Sequence, residues 1–278
     1  MRRTGLAAFT PFFVARVVIV VAALAAAGAG RPPHAFAAPD AAADAEAAKV
    51  ATALVERMKA TDLDAKKAAV KEAKANQHAL VTTQLTHALS DADADVRAAA
   101  LEALVARTEA AGKKTAALAI GARMKQIAEK EALHAELMKA IDALKTLAQP
   151  AALSSLTDRL GLDVSPEEIA ARLNAIACTP SKDAIEEIIK FRSSGGKLGE
   201  RTELGYRRRF AREAFMYATG VDVGPDPDAM RKWWKDNEKD FDFAVAAERR
   251  AKDAKGGAKS RPSDGKSPDT GSKGDDPK

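Results

Sequence analysis

The chain has 278 residues, which is enough for one or two ordinary domains. Apolar residues make up 46% and aromatic residues only 5%, and alanine supplies much of the apolar share, so the composition favours close helix–helix contacts over β-sheets. The formal net charge is +5, but residues 1–37 hold four arginines and no acid; without them the charge is about +1, so we do not expect nucleic acid as a partner.

Residues 1–37 have the order of a secretory signal peptide. Basic residues up to Arg16 precede Val17–Ala29, a run of thirteen uncharged and mainly apolar residues, and residues 35–37 (AFA) form a small-x-small cleavage site. A retained membrane anchor is the alternative, but the run is shorter than the ~18–20 residues that a span needs. We therefore predict cleavage before Ala38, export to the periplasm or the cell exterior, and membrane contact only through an uncleaved leader.

Five helix pairs in series are predicted between residues 44 and 220, after a linker at 38–43. The helices are expected at 44–59 and 62–75, 77–89 and 94–109, 113–128 and 130–148, 150–160 and 166–177, and 181–192 and 200–219. Small residues recur at matching places in the second helices, at intervals of 30 to 40 residues: Ala73, Ala103, Ala143, Ala175 and Ala214. Two-helix repeats with such periods are typical of α-solenoids, although apolar stripes alone also fit an unrelated helical bundle.

The most regular stretch is 90–104, SDADADVRAAALEAL. Its apolar residues follow the i, i+3, i+4, i+7, i+8 spacing of one helical face: Val96, Ala99, Ala100, Ala103 and Leu104. The acidic residues ahead of them, Asp91, Asp93 and Asp95, can accept hydrogen bonds from the free N–H groups at the helix start. Because the face is mostly alanine, the helix buries little surface alone and needs similar helices on either side.

The same acidic turn could instead bind calcium. Asp91, Asp93, Asp95 and Glu102 occupy positions 1, 3, 5 and 12 of an EF-hand-like loop. Position 6 is Val96, where such a loop needs glycine, and the residues that follow are strongly helical, so Glu102 would point away from the ion. We favour an inter-helix turn and predict no metal site.

The stretch from Leu89, LSDADADVRAAALEAL, resembles the second half of a HEAT repeat of the phycocyanobilin-lyase type. That family has a loop aspartate, a valine-arginine step and an alanine-rich second helix, which Asp93 or Asp95, Val96-Arg97 and residues 99–104 match. The resemblance implies a ladder between repeats in which Asp93 and Arg97 are structural. It also raises bilin-lyase chemistry, but export and the missing catalytic residues argue against that activity, so no cofactor is expected.

Two further segments predict helix capping. Ser165, Pro166 and Glu168 form a capping box at a helix start. The segment 218–241, ATGVDVGPDPDAMRKWWKDNEKDF, resembles the closing segment of exported bacterial HEAT-repeat proteins of unknown function. Since a solenoid needs a polar cover over its last repeat, we predict an acidic loop and a capping helix at 221–243, with Trp233 filling the gap and Trp234 unable to point fully inward as well.

The remaining candidates for chemistry are weak. Arg207, Arg208, Arg209 and Arg212 lie beside aromatic residues and form a candidate anion patch, although nearby glutamates dilute the charge and a solvated helix face explains it equally well. Cys178 is the single cysteine, so no internal disulfide can form. A thiol nucleophile needs a histidine base, and the nearest in sequence lies two helices earlier.

The sequence thus predicts an all-α protein: a short α-solenoid of antiparallel, HEAT-like helix pairs, with a C-terminal capping helix and a disordered charged tail at 247–278. We expect an exported, monomeric, non-enzymatic scaffold that binds a protein or peptide partner. One alternative is an envelope-associated structural protein attached through its tail. The other is a bilin-lyase-type enzyme, which the site residues do not support.

Overall fold

The computed structural model describes residues 41–160, 164–193, 201–224 and 226–256. Within these ranges the chain forms twelve α-helices and two short 3₁₀ turns (Glu131–Leu133 and Pro150–Ala152), and it contains no β-strand, as the composition predicted. The helices are α1 (Ala41–Met58), α2 (Leu63–Ala75), α3 (Ala79–Ala88), α4 (Ala94–Val105), α5 (Ala110–Ile127), α6 (His134–Leu147), α7 (Leu153–Thr157), α8 (Pro166–Cys178), α9 (Lys182–Ser193), α10 (Arg201–Thr219), α11 (Pro227–Asn237) and α12 (Phe243–Gly256). The predicted leader and the tail beyond residue 256 lie outside these ranges.

The helix starts follow from short capping side chains. The carboxylate of Asp93 accepts hydrogen bonds from the backbone N–H groups of Asp95 and Val96, at 2.9 and 3.1 Å, and so begins α4. Asp62 and Asp226 do the same at the starts of α2 and α11. All ten helices predicted before residue 220 occur, and their ends lie within four residues of the predicted ones.

Most helices pack against the next helix, the next but one, or both. The even-numbered helices α2, α4, α6, α8 and α10 contact each other in that order, and α1, α3, α5 and α7 do likewise. Contacts within successive pairs, α1 with α2 through to α9 with α10, join the two rows. The described part of the chain is therefore all-helical, and its helices pack mainly against their near neighbours in the sequence.

Alanine and medium-sized aliphatic residues fill this core. The five alanines at matching places in the predicted pairs, Ala73, Ala103, Ala143, Ala175 and Ala214, are all buried. Four of the five residues of the predicted stripe on α4 are fully buried: Val96, Ala100, Ala103 and Leu104. The fifth, Ala99, is only partly buried at the edge of the core. Short side chains at these contacts let helix axes approach closely, which explains why so few aromatic residues are needed.

One close contact between helices involves a glycine within α5. A Cβ atom added to Gly121 in α5 would lie 2.6 Å from Oγ and 3.0 Å from Cβ of Ser155 in α7. Gly205 in α10 is also inside a helix, but a Cβ there would meet no atom within 4 Å. Gly121 is thus required by the contact between α5 and α7, whereas Gly205 is not required by packing.

Buried arginines join neighbouring helices by capping helix C-termini. Arg107, which follows α4 and is 1% exposed, donates hydrogen bonds to the carbonyls of Lys74 and Asn76 at the end of α2 and of Ala103 in α4. Arg172 of α8, also 1% exposed, donates to the Ser155 and Leu156 carbonyls of α7. The last carbonyls of a helix lack partners within the helix, so each guanidinium both satisfies them and joins two elements.

Two predicted boundaries are wrong. Residues 41–43 belong to α1 and not to a linker. Residues 247–256 belong to α12 and are not disordered, because Ala246 is buried and Arg250 donates to the carbonyls of Tyr217 and Ala218 at the end of α10. No helix within the described ranges is long and apolar enough to cross a membrane.

Candidate functional site: a groove between α4 and α6

A groove lies along α4 and α6 and reaches the C-terminal end of α2. It consists of a cavity of about 780 Å³ that adjoins a second one of about 220 Å³, and the two share Ala98, Leu101 and Lys139 as lining residues. Helix α4 supplies one wall and α6 the other. Since α4 has 12 residues, the groove follows the helix for about 18 Å, which accommodates a short peptide segment.

The floor of the groove is apolar and partly open to solvent. It is formed by half-buried Ala98, Leu101 and Val105 from α4 and by Met138 from α6. Leu101, Val105 and Met138 pack against the core, and all four residues keep part of their surface accessible. Methionine adapts to ligands of different shape because its side chain is unbranched and polarisable. Such a floor suits the apolar side chains of a partner.

Charged side chains of both signs form the rim. Lys74, Glu102, Lys139 and Asp142 are exposed where they line the larger cavity. In the part of the chain that the structure describes, only Asp142 among them has an ionic partner, Lys145, at a loose 3.8 Å. An apolar floor with a polar rim is the usual arrangement of a protein-binding surface.

A cluster of three charged residues lies at the smaller cavity. Glu136 of α6 accepts hydrogen bonds from Nε and Nη2 of Arg97 in α4, at 3.0 and 2.7 Å, and from Nε of Arg123 in α5, at 2.8 Å. Burial would raise the pKa of Glu136, but the hydrogen bonds from the two guanidinium groups outweigh it, so the pKa lies below its ordinary value. The carboxylate therefore stays ionised and links α4, α5 and α6.

The two residues of the expected ladder have different roles. Arg97 joins α4 to α6 through Glu136, and its Nη1 also donates to the carbonyls of Asp91 and Ala92. The carboxylate of Asp93 instead caps its own helix, α4, and accepts no hydrogen bond from the Arg97 guanidinium. The side-chain contact between α4 and α6 is thus an arginine–glutamate pair. It has no local signal in the sequence because Glu136 lies 39 residues after Arg97.

The acidic turn ahead of α4 is occupied by protein contacts. Asp91 accepts from Nζ of Lys66 at 2.9 Å and from the backbone N–H of Asp93. Burial alone would raise the pKa of Asp91, but these hydrogen bonds have the larger combined effect, so the pKa lies below its ordinary value. Glu102 lies on α4 and lines the groove. Within the described ranges no three His, Cys, Asp or Glu residues are placed to hold a metal ion together.

The predicted capping box is half formed. The hydroxyl of Ser165 accepts from the backbone N–H of Glu168 at 3.1 Å, as expected for an N-cap. The carboxylate of Glu168 does not return to Ser165; it pairs with Arg172, with Nε and Nη2 at 2.8 and 2.7 Å from Oε1. Arg172 is buried and needs this counter-charge, which explains why Glu168 turns inward.

The tryptophan pair on α11 is arranged the other way round from the prediction. Trp234 is 4% exposed and packs with its ring 5.5 Å from that of Phe241, whereas Trp233 is half-buried between Phe215 and Phe241. Met230, one turn before Trp234, is fully buried and fixes which face of α11 points inward. The pair therefore closes the end of the helix stack with Trp234, not Trp233, as the deeper side chain.

The four arginines of the candidate anion patch do not converge on one site. Arg207 donates to the carbonyl of Leu160, and Arg212 pairs with Asp222. Arg209 lies over the ring of Phe210 and near Glu213, while Arg208 is exposed. Because each guanidinium serves a different local contact, the group has no common ligand position.

Cys178 is partly buried at the end of α8. Burial raises the pKa of the Tyr217 hydroxyl, and the neighbouring Cys178 thiol raises it further. The guanidinium of Arg250 in α12 lies 5.1 Å from the centre of the Tyr217 ring in α10, so it joins these two helices.

Sequence analysis missed the groove, although one signal for it was present. Ala98, Leu101 and Val105 follow the i, i+3, i+7 spacing and form a second apolar stripe on α4, beside the stripe that enters the core. The core needs only the first stripe of α4, so the second stripe indicates an apolar surface outside the core. Comparison with known proteins adds no further guide: no family model, no curated protein and no solved structure matches this chain.

Proposed function

We propose that the protein is an exported, non-catalytic helical-repeat scaffold whose α4–α6 groove binds a segment of a partner protein. The observation that supports this proposal is the groove itself. Its larger cavity, of about 780 Å³, is open, has an apolar floor and is bounded by exposed charges of both signs. Small-molecule sites typically bury most of the ligand surface inside a pocket, whereas extended open surfaces are typical of repeat proteins that bind other proteins.

The order of helix contacts supports a short α-solenoid as the architecture. In a solenoid each repeat contacts only its neighbours, and one row of helices lines the inner surface. The groove lies on the even-numbered row, between successive second helices of the predicted pairs, α4 and α6. In this interpretation the groove is a seam between adjacent repeats on the ligand-binding face.

A peptide-display selection tests the binding function. Full-length protein is panned against random peptides of roughly 12–16 residues, long enough to follow α4 as a strand or a helix. Selected peptides are then measured by fluorescence anisotropy against Leu101→Glu, which places a charge on the groove floor. The matched control is Leu118→Glu in α5, since Leu118 is 51% exposed and does not line the groove.

We expect Leu101→Glu to reduce the affinity at least roughly thirtyfold, because a carboxylate would have to be desolvated against an apolar ligand, and Leu118→Glu to bind as the wild type does. Equal affinities for the two variants would refute the proposal. The export component is tested separately by the intact mass of the native protein, which is expected to lack residues 1–37. A mass that includes them would contradict export by cleavage.

A further inference from the structure

The charges of the groove are unevenly distributed. At the smaller cavity three cationic side chains, Arg97, Arg123 and Lys139, face one carboxylate, Glu136. At the far end of the larger cavity, the single cation Lys74 faces two carboxylates, Glu102 and Asp142. The end of the groove at α5 therefore carries an excess of positive charge that the other end lacks.

The excess charge belongs mainly to Lys139 and Arg123. The guanidinium of Arg97 already donates hydrogen bonds to Glu136 and to the carbonyls of Asp91 and Ala92. Arg123 bonds Glu136 through Nε and Nη2, which leaves Nη1 without a hydrogen bond in the described part of the chain. Lys139 is exposed on α6, one turn after Glu136, and no carboxylate of the described residues lies within salt-bridge distance of its ammonium.

We propose that the occupant of the groove is a partner-protein segment with apolar side chains on the Ala98–Leu101–Val105–Met138 floor and an acidic side chain at Lys139 and Arg123. This inference rests on the proposed peptide-binding function and adds the chemistry and the polarity of the ligand. Charge complementarity carries it: a carboxylate of the bound segment neutralises the cationic excess at that end. Once apolar side chains of the segment cover the floor, that ion pair is screened less than on an open surface.

Peptides from the display selection supply the probe. Each selected peptide is synthesised in its original form and with every Asp and Glu replaced by Asn and Gln. Both forms are titrated against the wild-type full-length chain, Lys139→Gln and Lys125→Gln. Lys125 lies in α5, is exposed and does not line the groove, so Lys125→Gln removes the same charge at a position outside the groove.

We expect Lys139→Gln to weaken binding of the acidic peptide roughly fivefold and to leave the amide form unchanged, with the effect shrinking as salt is raised. Lys125→Gln should bind both forms as the wild type does. If Leu101→Glu abolishes binding but the acidic and amide forms bind Lys139→Gln and wild type alike, the inference is wrong and the peptide-binding function stands. If Leu101→Glu leaves binding intact, both are wrong.

Discussion

The contact between α5 and α7 gives a prediction that helix propensity alone would get wrong. Gly121 and Gly205 both lie inside helices, α5 and α10, so replacing either with alanine should stabilise the protein by about 1 kcal/mol if only the helix backbone mattered. The surroundings of the two residues differ. A Cβ at position 121 meets Ser155, whereas a Cβ at position 205 meets nothing.

The magnitude follows from the distances. A Cβ at residue 121 would lie 2.6 Å from Oγ and 3.0 Å from Cβ of Ser155. Rotation of the serine can move Oγ away, but its Cβ can move only if the backbone of α5 or α7 shifts. Overpacking of this kind costs about 1–3 kcal/mol, which equals or exceeds the gain in propensity. We expect Gly121→Ala to be destabilising by up to about 2 kcal/mol, and Gly205→Ala to be stabilising by about 1 kcal/mol.

Urea denaturation followed by circular dichroism measures both variants against the wild type. The double variant Gly121→Ala/Ser155→Gly removes the obstructing atoms. It should therefore be more stable than Ser155→Gly alone, by the helix-propensity difference between glycine and alanine of about 1 kcal/mol. If Gly121→Ala and Gly205→Ala stabilise the protein equally, α5 and α7 do not approach as described, and the reasoning about close helix contacts is refuted.

Three other substitutions test separate contacts. Arg107→Met leaves the C-terminal carbonyls of α2 buried without donors and should cost about 2–4 kcal/mol in urea denaturation, against under about 1 kcal/mol for the exposed Arg57→Met; equal costs would contradict the capping role. Trp234→Ala should lower the stability by about 3–5 kcal/mol and half-buried Trp233→Ala by less, since the first is the deeper side chain; the reverse order would contradict the end closure. The pKa of Glu136 is lower in the folded than in the unfolded protein, so its ion pairs stabilise the fold above the unfolded pKa and this stabilisation is lost as the pH falls. When the pH is lowered below about 4.5, the free energy of unfolding should therefore decrease less for Glu136→Gln than for the wild type. Identical pH profiles for the two proteins would contradict the pairing of Glu136 with two arginines.

The helices were predictable because their signals are local. The stripe from Val96 to Leu104 and the carboxylate of Asp93 define the face and the start of α4 within a single turn or two. The same holds for Ser165 ahead of α8. Helix α12 was missed because its residues carry no apolar stripe, and it is held by Arg250 donating to carbonyls of α10, more than thirty residues earlier in the chain.

The candidate site was harder to predict because it depends on partners that are distant in sequence. The floor residue Leu101 lies opposite Met138, and Arg97 pairs with Glu136, so each contact joins residues of different helix pairs. An arginine such as Arg107 is also indistinguishable in sequence from a solvated one. Its inward direction follows only from the position of the α2 carbonyls, which the sequence does not specify.

Amide hydrogen exchange of the full-length chain, with and without a saturating selected peptide, tests the central claim most directly. A ligand slows exchange of backbone groups whose local opening it suppresses. We predict slower exchange in α4 (Ala94–Val105) and α6 (His134–Leu147), with no change in α11 and α12. Protection confined to α11 and α12, or absent from α4 and α6 while the peptide is bound, would contradict a binding groove between those two helices.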